Sequence, residues 1–235
     1  MLVSRLVCNP ESAGIQPCLL RQFSWPEPVV ALVLLLQNIL LTSAIALWRC
    51  RGQRLQLGEW IQADLSELAG VETVARAIGE DCLDALLYMG GTWETHAFTP
   101  QYDFESCSDE DIARVIAVNL VAPIRLVKVL LPALRRSHNP KIVFMGALSG
   151  RDNFPAREVA NSASKFGLRG VVHALREELR SQQIGVTVIN PGNVGTPEVL
   201  ADLAAANLTG GEAIPLSDLL AILDCVLSLA RATRI

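Results

Sequence analysis

Short apolar runs alternate with longer helix-like runs along most of this chain. That alternation constrains the fold more than any other feature, because a strand–helix–strand order implies a parallel sheet covered by helices. The strand-like runs are Leu2 to Cys8, Ala44 to Trp48, Glu59 to Ala63, Leu83 to Tyr88, Lys141 to Met145 and Ile184 to Ile189. A helix is expected from about Ile15 to Phe23, broken by Pro26-Glu27-Pro28. Ser108 to Leu134 reads as a long helix, because Ile112, Val115, Ile116, Leu120, Ile124, Val127 and Leu131 recur at helical spacing. Ser108 and Asp111 resemble a capping box at its start, and Pro123 predicts a kink. A second long helix is expected over Glu158 to Arg180 and a last one over Leu219 to Leu229. The expected architecture is α/β: a single domain over residues 1–235, with a doubly wound parallel sheet and helices on both faces. Ligands of such sheets bind beyond the carboxyl ends of the strands. The glycines and polar residues of this chain gather at those ends.

Composition narrows the partners. The net charge is −4 with no basic run, so nucleic acid is not expected. Six scattered cysteines show no metal-ligand spacing, so no metal is expected, and reduced thiols in the cytoplasm are. No secretory signal is visible. At 51% hydrophobic and 19% charged, the chain implies a large core, a subunit interface or a membrane contact. Val29 to Trp48 is nearly all apolar and about long enough to span a bilayer. Gln37, Asn38, Thr42 and Ser43 interrupt it, so a buried helix followed by a buried parallel strand is favoured over membrane contact through 29–48.

Several motifs then fall in order. Asp64-Leu65 follows the third strand-like run, and Tyr88-Met89-Gly90-Gly91 closes the fourth. Val118-Asn119-Leu120 lies mid-helix, Asn161-Ser162-Ala163-Ser164-Lys165 opens the next helix, and Asn190-Pro191-Gly192-Asn193-Val194-Gly195-Thr196 follows the sixth strand. Together these resemble the short-chain dehydrogenase/reductase family. The resemblance implies a Rossmann-type domain using NADP or NAD on a small-molecule substrate bearing a carbonyl or hydroxyl. It implies dinucleotide contacts at Gly14, Ile15, Asp64, Leu65, Gly90, Gly91, Asn119, Lys165, Pro191, Gly192, Val194 and Thr196. Arg49, after the second strand, would favour a 2′-phosphate and hence NADP. A homodimer or homotetramer through helices 108–134 and 158–180 is also implied.

The departures from the family pattern matter as much. The family's tyrosine passes a proton to the substrate oxygen, and its position here is Asn161, an amide that does not titrate near neutral pH. The family's serine position is Ala147, with Ser149 two residues on as a substitute. Asn119 and Lys165 remain. Cys8 to Gln16 aligns with the glycine-rich turn, but only Gly14 and Ile15 match. Pro10 and Gln16 replace glycines that bring backbone close to the pyrophosphate, which weakens the expectation of dinucleotide binding. About fifteen extra residues precede the second strand, an apolar insertion at about 25–43, and the family's last strand is short or absent. Three readings follow: an oxidoreductase working with the set Asn119, Asn161, Lys165 and Ser149; a non-catalytic binding or dimer-partner subunit; or a non-redox enzyme on the same scaffold.

Overall fold

The computed structural model describes residues 31–36, 43–51, 54–56, 60–154, 156–196, 199–200, 203–204, 213–231 and 233. The expected strand Leu2–Cys8 and helix Ile15–Phe23, with Gly14 and Ile15, lie outside them. The strands are β1 (Ala31–Leu36), β2 (Ser43–Arg51), β3 (Arg54–Gln56), β4 (Trp60–Ala63), β5 (Ala85–Tyr88), β6 (Lys141–Met145) and β7 (Gly185–Ile189). The helices are α1 (Leu68–Ile78), α2 (Asp109–Ile116), α3 (Ala122–Arg135), α4 (Val159–Glu178) and α5 (Leu216–Ser228). Sheet order is β3-β2-β1-β5-β6-β7, with β4 paired to β2. The chain has the Rossmann-like α/β fold.

β1, β5, β6 and β7 pair in parallel. The runs of β5 and β6 are almost wholly apolar because both sheet faces are covered there. Leu86, Tyr88, Ile142, Phe144 and Val186 face a core shared with Val71, Val74, Leu126, Leu130, Leu168 and Val172. Ala85, Leu87 and Val143 alternate to the other face and are buried there.

The other side of the sheet departs from expectation. The described parts of the apolar run are two strands, not a helix and a strand. β1 lies within the supposed insertion and pairs with β5, Leu34 opposite Tyr88. β2 runs antiparallel to β1, Ala31 opposite Trp48 and Leu36 opposite Ser43. An apolar strand reads the same whichever way it runs, so its direction is not written in its composition.

The long helix over 108–134 is interrupted as well. Ser108 caps it, its Oγ accepting from Asp111 N at 3.1 Å. Between α2 and α3 the backbone widens into a π-helical turn at Ala117–Val121. Pro123 has no N–H to return to the Asn119 carbonyl four residues back, so the regular ladder cannot run through here. By length and apolarity the joined helix Asp109–Arg135 could cross a bilayer, but Leu126, Val127, Leu130 and Leu134 lie in the core.

Candidate functional site

β5, β6 and β7 all end at one edge of the sheet, and their carboxyl ends lead into Gly90-Gly91, Gly146-Ala147 and Asn190-Pro191-Gly192. The π-helical turn presents Asn119 beneath that edge. Its Oδ1 accepts from Thr92 N at 2.8 Å, and its Nδ2 donates to Thr92 O at 2.7 Å. The same Nδ2 lies 3.1 Å from Ser164 Oγ and 3.4 Å from Asn161 Oδ1. Asn161 Nδ2 in turn donates to Ser149 Oγ at 3.4 Å. Asn119, Asn161 and Ser149, with Ser164, are thus one buried amide–hydroxyl network.

Lys165 lies one turn along α4 from Asn161, on the same face. Its ammonium donates to Met145 O at 3.0 Å. A Cβ on Gly91 would lie 3.2 Å from Nζ and 3.8 Å from Asn119 Oδ1, so Gly91 keeps that space open. Burial alone lowers the Lys165 pKa to about 8.

Ser149 reaches Asn161 because Gly150 packs directly on α4, where a Cβ would lie 2.8 Å from Lys165 O. Arg169 pins the same turn by donating to Gly150 O at 2.7 Å. Among the described contacts, Asn161 is met by Ser149 and not by Ala147.

The loop after Gly91 is held just as firmly. Asp111 Oδ2 accepts from Thr95 N at 2.5 Å, and Arg114 donates to Trp93 O at 3.1 Å, to Thr92 Oγ1 and to Asp111. Burial works to raise the Asp111 pKa, but the Thr95 N–H and Arg114 outweigh it and hold the carboxyl low. Glu94 is 1% exposed and caps α4, its Oε1 accepting from Ala160 N at 2.7 Å and Asn161 N at 3.2 Å. Its Oε2 is buried with no partner among the described residues. Glu158 Oε1 accepts from Phe98 N at 2.9 Å.

Residues 43–205 match the family model for short chain dehydrogenases. The chain belongs to the short-chain dehydrogenase family. A short-chain dehydrogenase/reductase of Penicillium canescens is 29% identical over 140 residues, covering 58% of this chain and 52% of its own. A 3-dehydrosphinganine reductase of Arabidopsis thaliana is 30% identical over 135 residues, covering 56% and 40%. The chain therefore spans about half the length of the curated relatives it matches. Among solved structures, a metagenomic short-chain oxidoreductase in complex with NADP superimposes with a TM-score of 0.58 at 24% identity, covering 74% of this chain and 69% of that one. A short chain dehydrogenase of Salmonella enterica gives 0.62 at 22%, covering 73% and 69%.

Against the family pattern, the fold brings Asn119, Asn161, Lys165 and Ser149 together, with Gly90 and Gly91 at the strand end beside them. Pro191 and Gly192 lie at the same edge, where a Cβ on Gly192 would touch Leu148 at 3.4 Å. Val194 forms a parallel bridge with Ile214, and Thr196 N donates to Val194 O at 2.7 Å. Asp64 follows β4, but its Oδ1 accepts from Ser66 N at 2.9 Å and Ser66 Oγ at 2.7 Å, and Leu65 is a core residue.

Arg49 is not brought to the site. It lies inside β2, opposite Gln56 of β3. Because β2 runs antiparallel to β1, Arg49 and Arg51 sit at the amino-end edge of the parallel strands, away from Gly91. The Arg49 argument for NADP over NAD fails for that reason. Tyr88, at the end of β5, is a core residue; its hydroxyl donates to Val118 O at 2.5 Å and burial raises its pKa. Sequence reasoning did not assign Thr92, Ser164 or Glu158. Only the position of Ser164, next to Lys165, could have signalled one of them.

Proposed function

We propose that this chain binds a nicotinamide dinucleotide at the carboxyl edge of β5–β7, and that its hydride-transfer chemistry is weak or lost. One observation carries the reading. Asn161 stands where the family has its proton-donating tyrosine, and its amide is tied into a network of non-titrating groups, Asn119, Ser149 and Ser164. Such a network can hold a substrate oxygen by hydrogen bonds but has no proton to exchange with it near neutral pH.

The residues fit the nicotinamide end of the cofactor. Lys165 Nζ uses one of three N–H bonds on Met145 O, and Asn190 Oδ1 is buried with no partner among the described residues. Gly91 leaves open the space beside Nζ. Hydroxyl and carboxamide groups of a nicotinamide riboside complement such donors and acceptors. The cofactor would supply the hydride; this chain would bind and orient. NADP in the metagenomic neighbour is consistent with that class of ligand.

Calorimetric titration with NADPH and NADH tests the reading, repeated on Asn161→Tyr with Ala147→Ser. The wild-type chain should bind and reduce ketones near background. The double variant should gain about 100-fold or more, the usual contribution of a positioned acid. Absence of binding by both proteins overturns the proposal.

A non-catalytic dimer-partner role is a second reading. It is supported by Ile124, Val159 and Phe166, exposed at 44%, 45% and 42% on α3 and α4. Sedimentation of Phe166→Lys should then show a smaller species.

A further inference from the structure

Trp93 and Phe98 are large apolar side chains that solvent reaches, 51% and 63% exposed. They meet edge to face with ring centroids 5.7 Å apart. Single exposed aromatics are ordinary, but this pair is held by backbone that resists the arrangement. Phe98 has φ of 64°, the left-handed region, where a bulky side chain is a genuine outlier; His96, of a type that visits it more readily, has 60°. Such strain persists only where neighbouring structure over-determines it. Here Asp111 accepts from Thr95 N, Arg114 donates to Trp93 O, and the buried Glu158 accepts from Phe98 N.

The loop is also continuous with the polar network. Thr92, one residue before Trp93, makes both backbone hydrogen bonds to Asn119, and Glu94, one residue after, caps the turn that carries Asn161. The aromatic pair is therefore fixed, through its chain neighbours, to the groups that would hold a substrate oxygen.

We propose that Trp93 and Phe98 form a platform for the flat apolar body of a small carbonyl or hydroxyl compound whose oxygen is held by the Asn119–Asn161–Ser149 network. This rests on the carboxyl edge being the ligand site. Because the rings cross at 64°, a flat ligand stacks on the face of one and meets the edge of the other, an arrangement that rewards an aromatic ligand. The strain fits the same role, since binding surfaces commonly cost stability.

The test is calorimetric binding of 1-acetonaphthone and acetone to the full chain, its Trp93→Ala variant and its Phe98→Asn variant. Asparagine tolerates the left-handed conformation, so Phe98→Asn should fold with an unchanged or raised Tm. The expected result is binding of 1-acetonaphthone but not acetone by the wild type. Each variant should weaken it by about tenfold, the scale of one aromatic contact. Unchanged affinity in both variants overturns the proposal. So does a variant that abolishes self-association in sedimentation, or one that abolishes co-sedimentation with phosphatidylcholine vesicles, at unchanged 1-acetonaphthone affinity. NADPH affinity is measured in parallel and should not change. Loss of NADPH binding in the wild type, with 1-acetonaphthone still bound, would reject the cofactor reading and leave the platform standing.

Discussion

The interior of the site and its rim are built on opposite terms. Inside, Asn119, Asn161, Ser149 and Ser164 are polar, buried and joined by hydrogen bonds, and Lys165 is buried beside them with its bond to Met145 O. At the rim, Trp93 and Phe98 are apolar and exposed, and the hydrogen bonds run to their backbone. The interior is stable only while every polar group keeps a partner, since an unmet buried group costs more than a met one contributes. The rim spends stability on side-chain display. Removing a member of that hydrogen-bonded network should therefore damage the fold, whereas removing a rim ring should not.

Asn119→Leu puts the contrast under the greatest strain. It leaves Thr92 N and O without their partner and cuts the links to Asn161 and Ser164. A loss of about 3 kcal/mol in denaturant unfolding is expected, about 10 °C in Tm. A loss below about 1 kcal/mol would show that the interior is not cooperative.

Lys165→Met should act in the opposite direction. The folded pKa of about 8 lies below the ordinary 10.5, so burial costs about 3 kcal/mol wherever both states are protonated, below pH 8. Between pH 8 and 10.5 the unfolded chain binds more protons, and wild-type stability rises with pH. Losing the bond to Met145 O offsets about 1 kcal/mol, leaving Lys165→Met about 2 kcal/mol more stable at pH 7. Unfolding followed across pH 7 to 10.5 checks this; the variant should lack the contribution that rises over that range.

Glu158→Ala frees the Phe98 N–H and should cost about 1 kcal/mol. Amide exchange at Phe98 should accelerate while α4 remains protected. Phe98→Asn, the mildest change, should shift stability by about 0.5 kcal/mol or less, towards a more stable fold. A clear destabilisation would mean that the ring packs like an interior residue and would erase the contrast.

Much of this was readable from residue order. The capped helix start at Ser108 and the apolar strands β5, β6 and β7 follow from periodicity and local pattern, and the grouping of Asn119 with Lys165 and Asn161 from the resemblance to the short-chain dehydrogenase/reductase family. Arg49 shows where such reading stops. Its place after an apolar run suggested a phosphate contact, but β2 extends to Arg51 and runs the other way. Glu94 was legible only as a polar residue in a loop near the ligand edge. That it caps a helix opening at Val159 depends on a contact spanning 66 residues.

The sequence by itself determined that strands and helices alternate, which faces are apolar, and that no titrating side chain stands at position 161. These are properties of each residue and its near neighbours. Tertiary structure alone decided that β2 is antiparallel, that Ser149 is what meets Asn161, and that two aromatic rings stay exposed on a pinned loop. Apolar burial is blind to strand direction, and a buried amide takes whichever partner the fold brings within about 3 Å.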